Sequence, residues 1–314
     1  MKSVPAKIAR SALLVGALLA MAREVEAASA IDGPRVWRDL EQIVGLGPRP
    51  SGSPQLERTR RYIIEELKKA GVKTRVQSFT AKTPLGPIAM SNVIGEIPGK
   101  SSDVILIGGH YDTKYFPAFR FVGANDGGSS AALLIELGRK LAARSGEYTV
   151  WIVFFDGEEE GSPDSNRGAS YGSKFMVAQM AKGRDLGRLR AAMVIDMIGD
   201  RDLGILRDAS STTWLTDILW KSANRLGHGS HFLEEAVPME DDHAPFLRAG
   251  VPTTLLIDYE YGKPAEGRQF WHSPDDTLDK LSPKSLETVG EVILEALPAI
   301  ELELNRRKPK SARQ

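Results

Sequence analysis

Apolar residues along this chain fall into unbroken runs and into two periodic patterns. Trp151-Ile152-Val153-Phe154-Phe155 is continuous, rich in β-forming side chains, and ends on Asp156-Gly157-Glu158-Glu159. Such a run predicts a strand buried on both faces with its polar residues at the C-terminal end. Val104-Ile105-Leu106-Ile107, which leads to His110-Tyr111-Asp112, reads the same way. So do Ala191 to Ile198, with Asp196 and Asp200 at its end, and Thr253 to Ile257. Spacings of three and four predict helices over Val36 to Leu46, Leu56 to Ala70, Ser129 to Ala143, Ser170 to Lys182, Thr213 to Leu226 and Pro283 to Leu304. Alternation over Val72 to Phe79, then Pro84-Leu85-Gly86-Pro87, then a run from Ser91 to Ile97 predicts an antiparallel edge pair. A short strand is expected over Leu203 to Leu206, and a short helix opening at Glu240-Asp241-Asp242-His243 and closing at Gly250.

Strands that alternate with helices imply a largely parallel sheet covered on both faces. The expected fold class is therefore α/β: a single domain with a largely parallel, twisted central sheet, helices on both faces and an antiparallel edge pair. No repeat, low-complexity block or long linker divides the chain.

Composition narrows the chemistry. The 314 residues include 41 basic and 41 acidic side chains, so nothing calls for nucleic acid or an anionic membrane as partner. The short basic stretch Arg306-Arg307-Lys308-Pro309-Lys310 reads as a solvated chain end. The absence of cysteine excludes disulfides, thiolate catalysis and Cys-ligated zinc, so any metal must use histidine and carboxylate. At the N-terminus, Lys2, Lys7 and Arg10 precede an apolar stretch from Ser11 to Ala22, too short to span a bilayer but suited to a signal peptide. Small-residue cleavage patterns follow at Ala20-Met21-Ala22 and Ala28-Ser29-Ala30. The expectation is a leader over 1–30, a catalytic domain over 31–314, export to the periplasm or the exterior, and no stable membrane span once the leader is removed. Loss of 1–30 would leave a net charge of −2.

Candidate chemistry gathers where strands end: His110 and Asp112, Asp126, Glu158 and Glu159, Asp196, Asp241 to His243, and His272. Taken singly, each has a plain structural account. Glu158 to Glu160 could be an acidic surface turn, Asp126 the cap of the following helix, and any one histidine a satisfied core residue. His228 and His231, in a Gly-Ser-rich stretch, read as surface residues. Together the others sit where open α/β sheets bind ligands. A catalytic zinc takes about three N and O donors and leaves a position open. Asp126, Glu159 and His272 supply such a set from separate strand ends, and the adjacent Glu158 is free to move a proton.

In order along the chain, His110-Tyr111-Asp112-Thr113-Lys114-Tyr115-Phe116, Val122-Gly123-Ala124-Asn125-Asp126, Phe154-Phe155-Asp156-Gly157-Glu158-Glu159, Asp241-Asp242-His243-Ala244-Pro245-Phe246 and Trp271-His272 resemble the zinc-dependent glutaminyl cyclases (glutaminyl-peptide cyclotransferases). Those enzymes share fold and ancestry with the zinc aminopeptidases of the M28 group. The resemblance extends over nearly the whole chain after the leader. It implies one zinc held by Asp126, Glu159 and His272, with Glu158 as proton shuttle, Asp196 and Asp241 as a hydrogen-bonded carboxyl pair, and Trp271 as a wall of the substrate pocket. The implied substrates are peptide or protein N-termini: an N-terminal glutamine closes to pyroglutamate and ammonia leaves. Two departures stand out. The loop between Glu160 and Tyr171, Gly161 to Ser170, has no aromatic where animal cyclases place a tryptophan, and Glu240 and Leu255 stand in place of a glutamine and a histidine of the supporting network.

The main alternative on the same residues is a two-zinc aminopeptidase, in which His110 and Asp196 bind a second metal, Asp126 bridges and Glu158 activates a water. Trp271 beside His272 and the Asp241-Asp242 doublet favour the cyclase. A non-catalytic binding domain would have a broken donor set, and none of these residues is missing.

Overall fold

The computed structural model describes residues 31–160, 169–262, 267 and 269–307. The leader expected over 1–30, the substituted loop within 161–168 and the end of the basic tail lie outside the described residues.

One eight-stranded sheet organises the chain, in the order β1-β2-β4-β3-β5-β8-β6-β7. Its centre is parallel: β3 (Ser101–His110) lies between β4 (Tyr148–Phe155) and β5 (Leu189–Asp196), and β5 pairs with β8 (Thr253–Ile257). Register brings His110 opposite Phe155 and Asp196 opposite Ile257, so the polar ends of all four strands open at one edge. β1 (Lys73–Thr83) and β2 (Gly86–Ile97) form the expected antiparallel hairpin, and β2 continues antiparallel onto β4. β6 (Ile205–Asp208) runs antiparallel to β8 and parallel to β7 (Phe232–Val237) at the far edge.

The unbroken apolar runs are explained by two cores. On β4, Val150, Ile152 and Phe154 enter the larger core, while Trp151, Val153 and Phe155 enter a smaller one on the opposite face. Because successive side chains point to opposite faces, a strand serving two cores has no polar position to spare. The larger core is closed by α1 (Gly33–Gly45), α2 (Pro54–Lys69), α3 (Gly128–Leu141), α5 (Thr213–Arg225) and α7 (Pro283–Arg307). The smaller one is covered by α4 (Tyr171–Lys182) and the short α6 (Ala244–Arg248). Among the described residues no helix is long and apolar enough to cross a membrane.

Candidate metal and catalytic site

The turns at the sheet's polar edge build the site. After β3 the chain buries His110 and Asp112. The Asp112 carboxylate accepts the backbone N–H groups of Glu158 (3.3 Å) and Glu159 (3.2 Å), which fixes the acidic turn after β4. That turn begins at Gly157, whose φ of 81° suits glycine. The loop before α3 carries Asp126. Its alternative reading as a helix cap is not realised: the N-cap is Gly127, at φ 74°, with no side-chain cap bond. The Asp126 side chain is thereby left to face the cleft.

The Asp126 backbone is gripped from both sides. Asp276 accepts the N–H groups of Asn125 (2.8 Å) and Asp126 (3.1 Å) and a bond from the Tyr261 hydroxyl (3.0 Å). Arg49, fully buried, donates to the carbonyls of Tyr111, Val122, Gly123 and Asp126. Burial lowers its guanidinium to about 10, against the pull of Asp276 and Asp126.

The donor atoms converge. One nitrogen or oxygen from each of Asp126, Glu159 and His272 lies within 4.8 Å of the other two, and the same holds for His110, Asp126 and Asp196. His272 Nε2 is 2.9 Å from Glu159 Oε2 and 3.5 Å from Asp126 Oδ2. His110 Nε2 is 3.2 Å from Asp126 Oδ1 and 3.1 Å from Asp196 Oδ1. The two oxygens of Asp126 thus face two different imidazoles. His272 itself has φ 54°, in the left-handed region, and the rings of Phe116 and Phe121 meet it edge-on at 5.6 and 6.0 Å.

Burial dominates the electrostatics. It pushes Glu158 well above the usual carboxylate range, helped by the charges of Asp241 and Glu159. It pushes Glu159 up as well, with Asp126 adding to the rise. Asp196 rises to about 6 through burial, against the opposing pull of His110. Burial also acts on Asp126, but hydrogen bonding and charge from His110 outweigh it and hold that carboxyl well below its ordinary value. No lysine or arginine side chain hydrogen-bonds the Asp126 or Glu159 carboxylates among the described residues. Buried carboxylates meeting an imidazole without such a partner, from N and O donors only, fit a divalent cation such as zinc.

Beside these groups opens a cleft of about 620 Å³, bordered by Glu158, Asp241, Met239, Glu240, Tyr259 and Trp271. Trp271 therefore lies at the cleft wall, with Tyr259 tilted against it at 6.1 Å. Asp241 borders the cleft near Asp196, but no hydrogen bond joins the two carboxyls among the described residues. Asp196 Oδ1 is engaged by His110 Nε2 and the Met197 N–H (2.8 Å), while Asp241 Oδ1 takes the N–H of Asp242.

The model of peptidase family M28 matches residues 92–297, a span that holds every candidate metal ligand described above. The chain belongs to peptidase family M28. Within it, the similarity is to glutaminyl cyclases. The crystal structure of an Acidobacteriales bacterium glutaminyl cyclase is 37% identical, with a TM-score of 0.82, covering 87% of this chain and 96% of that one. The glutaminyl-peptide cyclotransferase-like protein of Bos taurus is 28% identical, covering 89% of this chain and 79% of its own length. A Zn-dependent exopeptidase from Parabacteroides distasonis, 22% identical with a TM-score of 0.76 over 85% of this chain and 97% of its own, shares the fold.

Several residues of this M28 site were not singled out by the sequence. Arg49 stands between two prolines in a turn-rich loop, and nothing local announces a buried cation. Asp276 was visible only as part of Trp271-His272-Ser273-Pro274-Asp275-Asp276, without a role. Ser170, whose hydroxyl reaches Glu158 Oε1 at 3.4 Å from a residue at φ 48°, gave no signal.

Proposed function

We propose that this protein is a zinc-dependent glutaminyl-peptide cyclotransferase, converting N-terminal glutamine to pyroglutamate with release of ammonia. The reading is carried by one observation: Glu158, outside the donor groups, lines the same cleft as Asp126, Glu159, His272, Asp241 and Trp271. Asp126, Glu159 and His272 would hold the ion, which when bound would polarise the γ-carbonyl of the substrate glutamine.

The protein's own groups do the rest. Trp271 and Tyr259 wall the glutamine side chain and position it against the donors. Glu158 takes a proton from the α-amine as that nitrogen bonds to the γ-carbonyl carbon. It returns the proton to the side-chain nitrogen as the carbon–nitrogen bond breaks and ammonia leaves, so atoms and charge balance without a further reactant. Burial beside Asp241 suits Glu158 to this work, because a carboxyl of raised proton affinity is the better base and still returns the proton. Asp196 and Asp241 shape the field around it. Carboxylates line the pocket heavily, which favours a cationic or neutral N-terminus over an acidic one.

A specific observation keeps a second reading in view. His110, Asp126 and Asp196 also lie within metal-holding distance, as a two-metal aminopeptidase would require. The discriminating experiment supplies the metal-quantified protein with glutamine and leucine naphthylamides, measuring ammonia and free naphthylamine. Ammonia from the glutamine substrate with about one zinc per chain supports the cyclase. Naphthylamine from the leucine substrate, no ammonia, and about two zinc ions overturn it. Export through a leader over 1–30, leaving a catalytic domain from residue 31, completes the proposal; its support is the charged-then-apolar pattern from Lys2 to Ala22.

A further inference from the structure

Behind the cleft lies a buried polar cluster that the chemistry above does not use. β6 ends on Asp208, whose side chain is wholly buried. Its carboxylate accepts from His243 Nε2 (3.1 Å), from the hydroxyls of Ser210 (2.6 Å) and Ser211 (2.8 Å), and from the backbone N–H groups of Met239 (3.1 Å) and Ser210 (3.3 Å). Burial opposes the charge, but these donors, His243 foremost, hold Asp208 well below the usual carboxylate range. Met239 and His243 are the two ends of a five-residue stretch, and between them Glu240 and Asp241 border the cleft. One buried anion therefore fastens both ends of the segment that presents Asp241. None of its donors belongs to the metal-holding groups.

We propose that Asp208 is a positioning residue for the reaction, acting through His243 and the Met239 amide to set the Asp241 carboxyl against Glu158. The inference rests on the cyclase reading of the cleft. Its physical basis is the steep distance dependence of charge interactions in a water-poor site. Asp241 and Glu158 border the same cleft, and Asp241 lies on the segment that Asp208 holds at Met239 and His243. A shift of about 1 Å in a catalytic constellation can cost on the order of 100-fold in rate.

The test is a double-mutant cycle on the whole, zinc-loaded protein, with ammonia release from glutamine naphthylamide as the rate. Asp208→Asn keeps the shape but cannot accept all five bonds. The expected outcome is a kcat loss of about 10- to 100-fold with KM and zinc content little changed. In an Asp241→Asn background the same change should cost less than about twofold, because the two residues act as one unit. Equal losses in both backgrounds, or a folded Asp208→Asn protein of full activity, overturn the proposal. Should Asp208→Asn not fold, Ser210→Ala decides. It deletes only the hydroxyl of an exposed residue, one bonded to both Asp208 and His243 (3.3 Å). A kcat loss of about threefold that vanishes beside Asp241→Asn supports the assignment, and an unchanged kcat overturns it. Failure of the cyclase reading is seen separately, as absence of ammonia from the unmodified protein. The cycle is then read on leucine naphthylamide hydrolysis, with the same non-additivity expected.

Discussion

At Glu158, burial and the charges of Asp241, Glu159 and Asp242 act in one direction and outweigh His110, so the residue combines a raised proton affinity with access to the cleft. Glu158→Gln keeps the size of the side chain but cannot transfer the proton; zinc content should stay unchanged while kcat falls on the order of 10²–10⁴-fold. Metal analysis alongside the ammonia assay checks both halves, and a fully active variant would remove Glu158 from its role. Asp258 gives a stability prediction instead. Nearly fully buried after β8, it accepts the Gly204 N–H at 2.9 Å, and burial pushes it up from 3.8 to about 8. Between those values the folded chain keeps a proton that the unfolded chain has released. Stability should therefore fall as pH rises through that window, by up to about 1.4 kcal/mol per pH unit from this group. Asp258→Asn should melt higher than the unmodified protein at pH 8 and match it near pH 4, which melting curves across the range will show. The residues legible in the sequence were those whose side chains follow an apolar run or stand in a motif: His110, Asp126, Glu158, Glu159 and His272. Arg49 and Asp276 act on backbone groups remote in sequence, and Asp208 reaches His243 and the Met239 amide across an intervening helix and strand; contacts of that kind leave no local pattern.

Among the elements, the loop entering α3 carries the tightest constraint. A Cβ on Gly127 would lie 2.5 Å from the Asp112 carbonyl oxygen and 2.9 Å from His110 Cε1, at a φ of 74° that disfavours any side chain. Gly127→Ala should cost at least about 2 kcal/mol of stability and weaken metal binding, since it pushes on both the Asp112 and His110 turns. Denaturant melts and zinc titration test this. The same loop shows why the capping alternative for Asp126 could not be dismissed from sequence: an aspartate before a helix has two uses, and only the left-handed Gly127 decides between them. Strands β3, β4, β5 and β8 were readable because burial on two faces imposes continuous apolar sequence. β7 was not: Phe232-Leu233-Glu234-Glu235-Ala236-Val237 is mostly exposed at the sheet edge, and neither alternation nor an unbroken run marks it. Leu255 has a similar lesson. It is fully buried in β8 as part of the larger core, where the apolar run left it no other place.

For the molecule as a whole, the sheet acts as a frame that brings four strand ends to one edge, and the ion is expected to tie their loops together. Ligands that bind only the folded state stabilise it by mass action, by about 4 kcal/mol when free ligand is a thousand times its Kd. Stripping zinc with a chelator should therefore lower the melting temperature, and restoring zinc should return it. A melting curve indifferent to both, on protein found free of metal, would count against the assigned donors. His272 adds where that loosening should begin. A histidine at φ 54° is held in a conformation its own backbone disfavours, at a cost of about 1–3 kcal/mol. In the metal-bound protein, the bond to the ion would help keep that turn cocked. Without it, the peptide around Trp271 to Ser273 has every reason to relax, and amide hydrogen exchange should accelerate there before it does in the strands beneath.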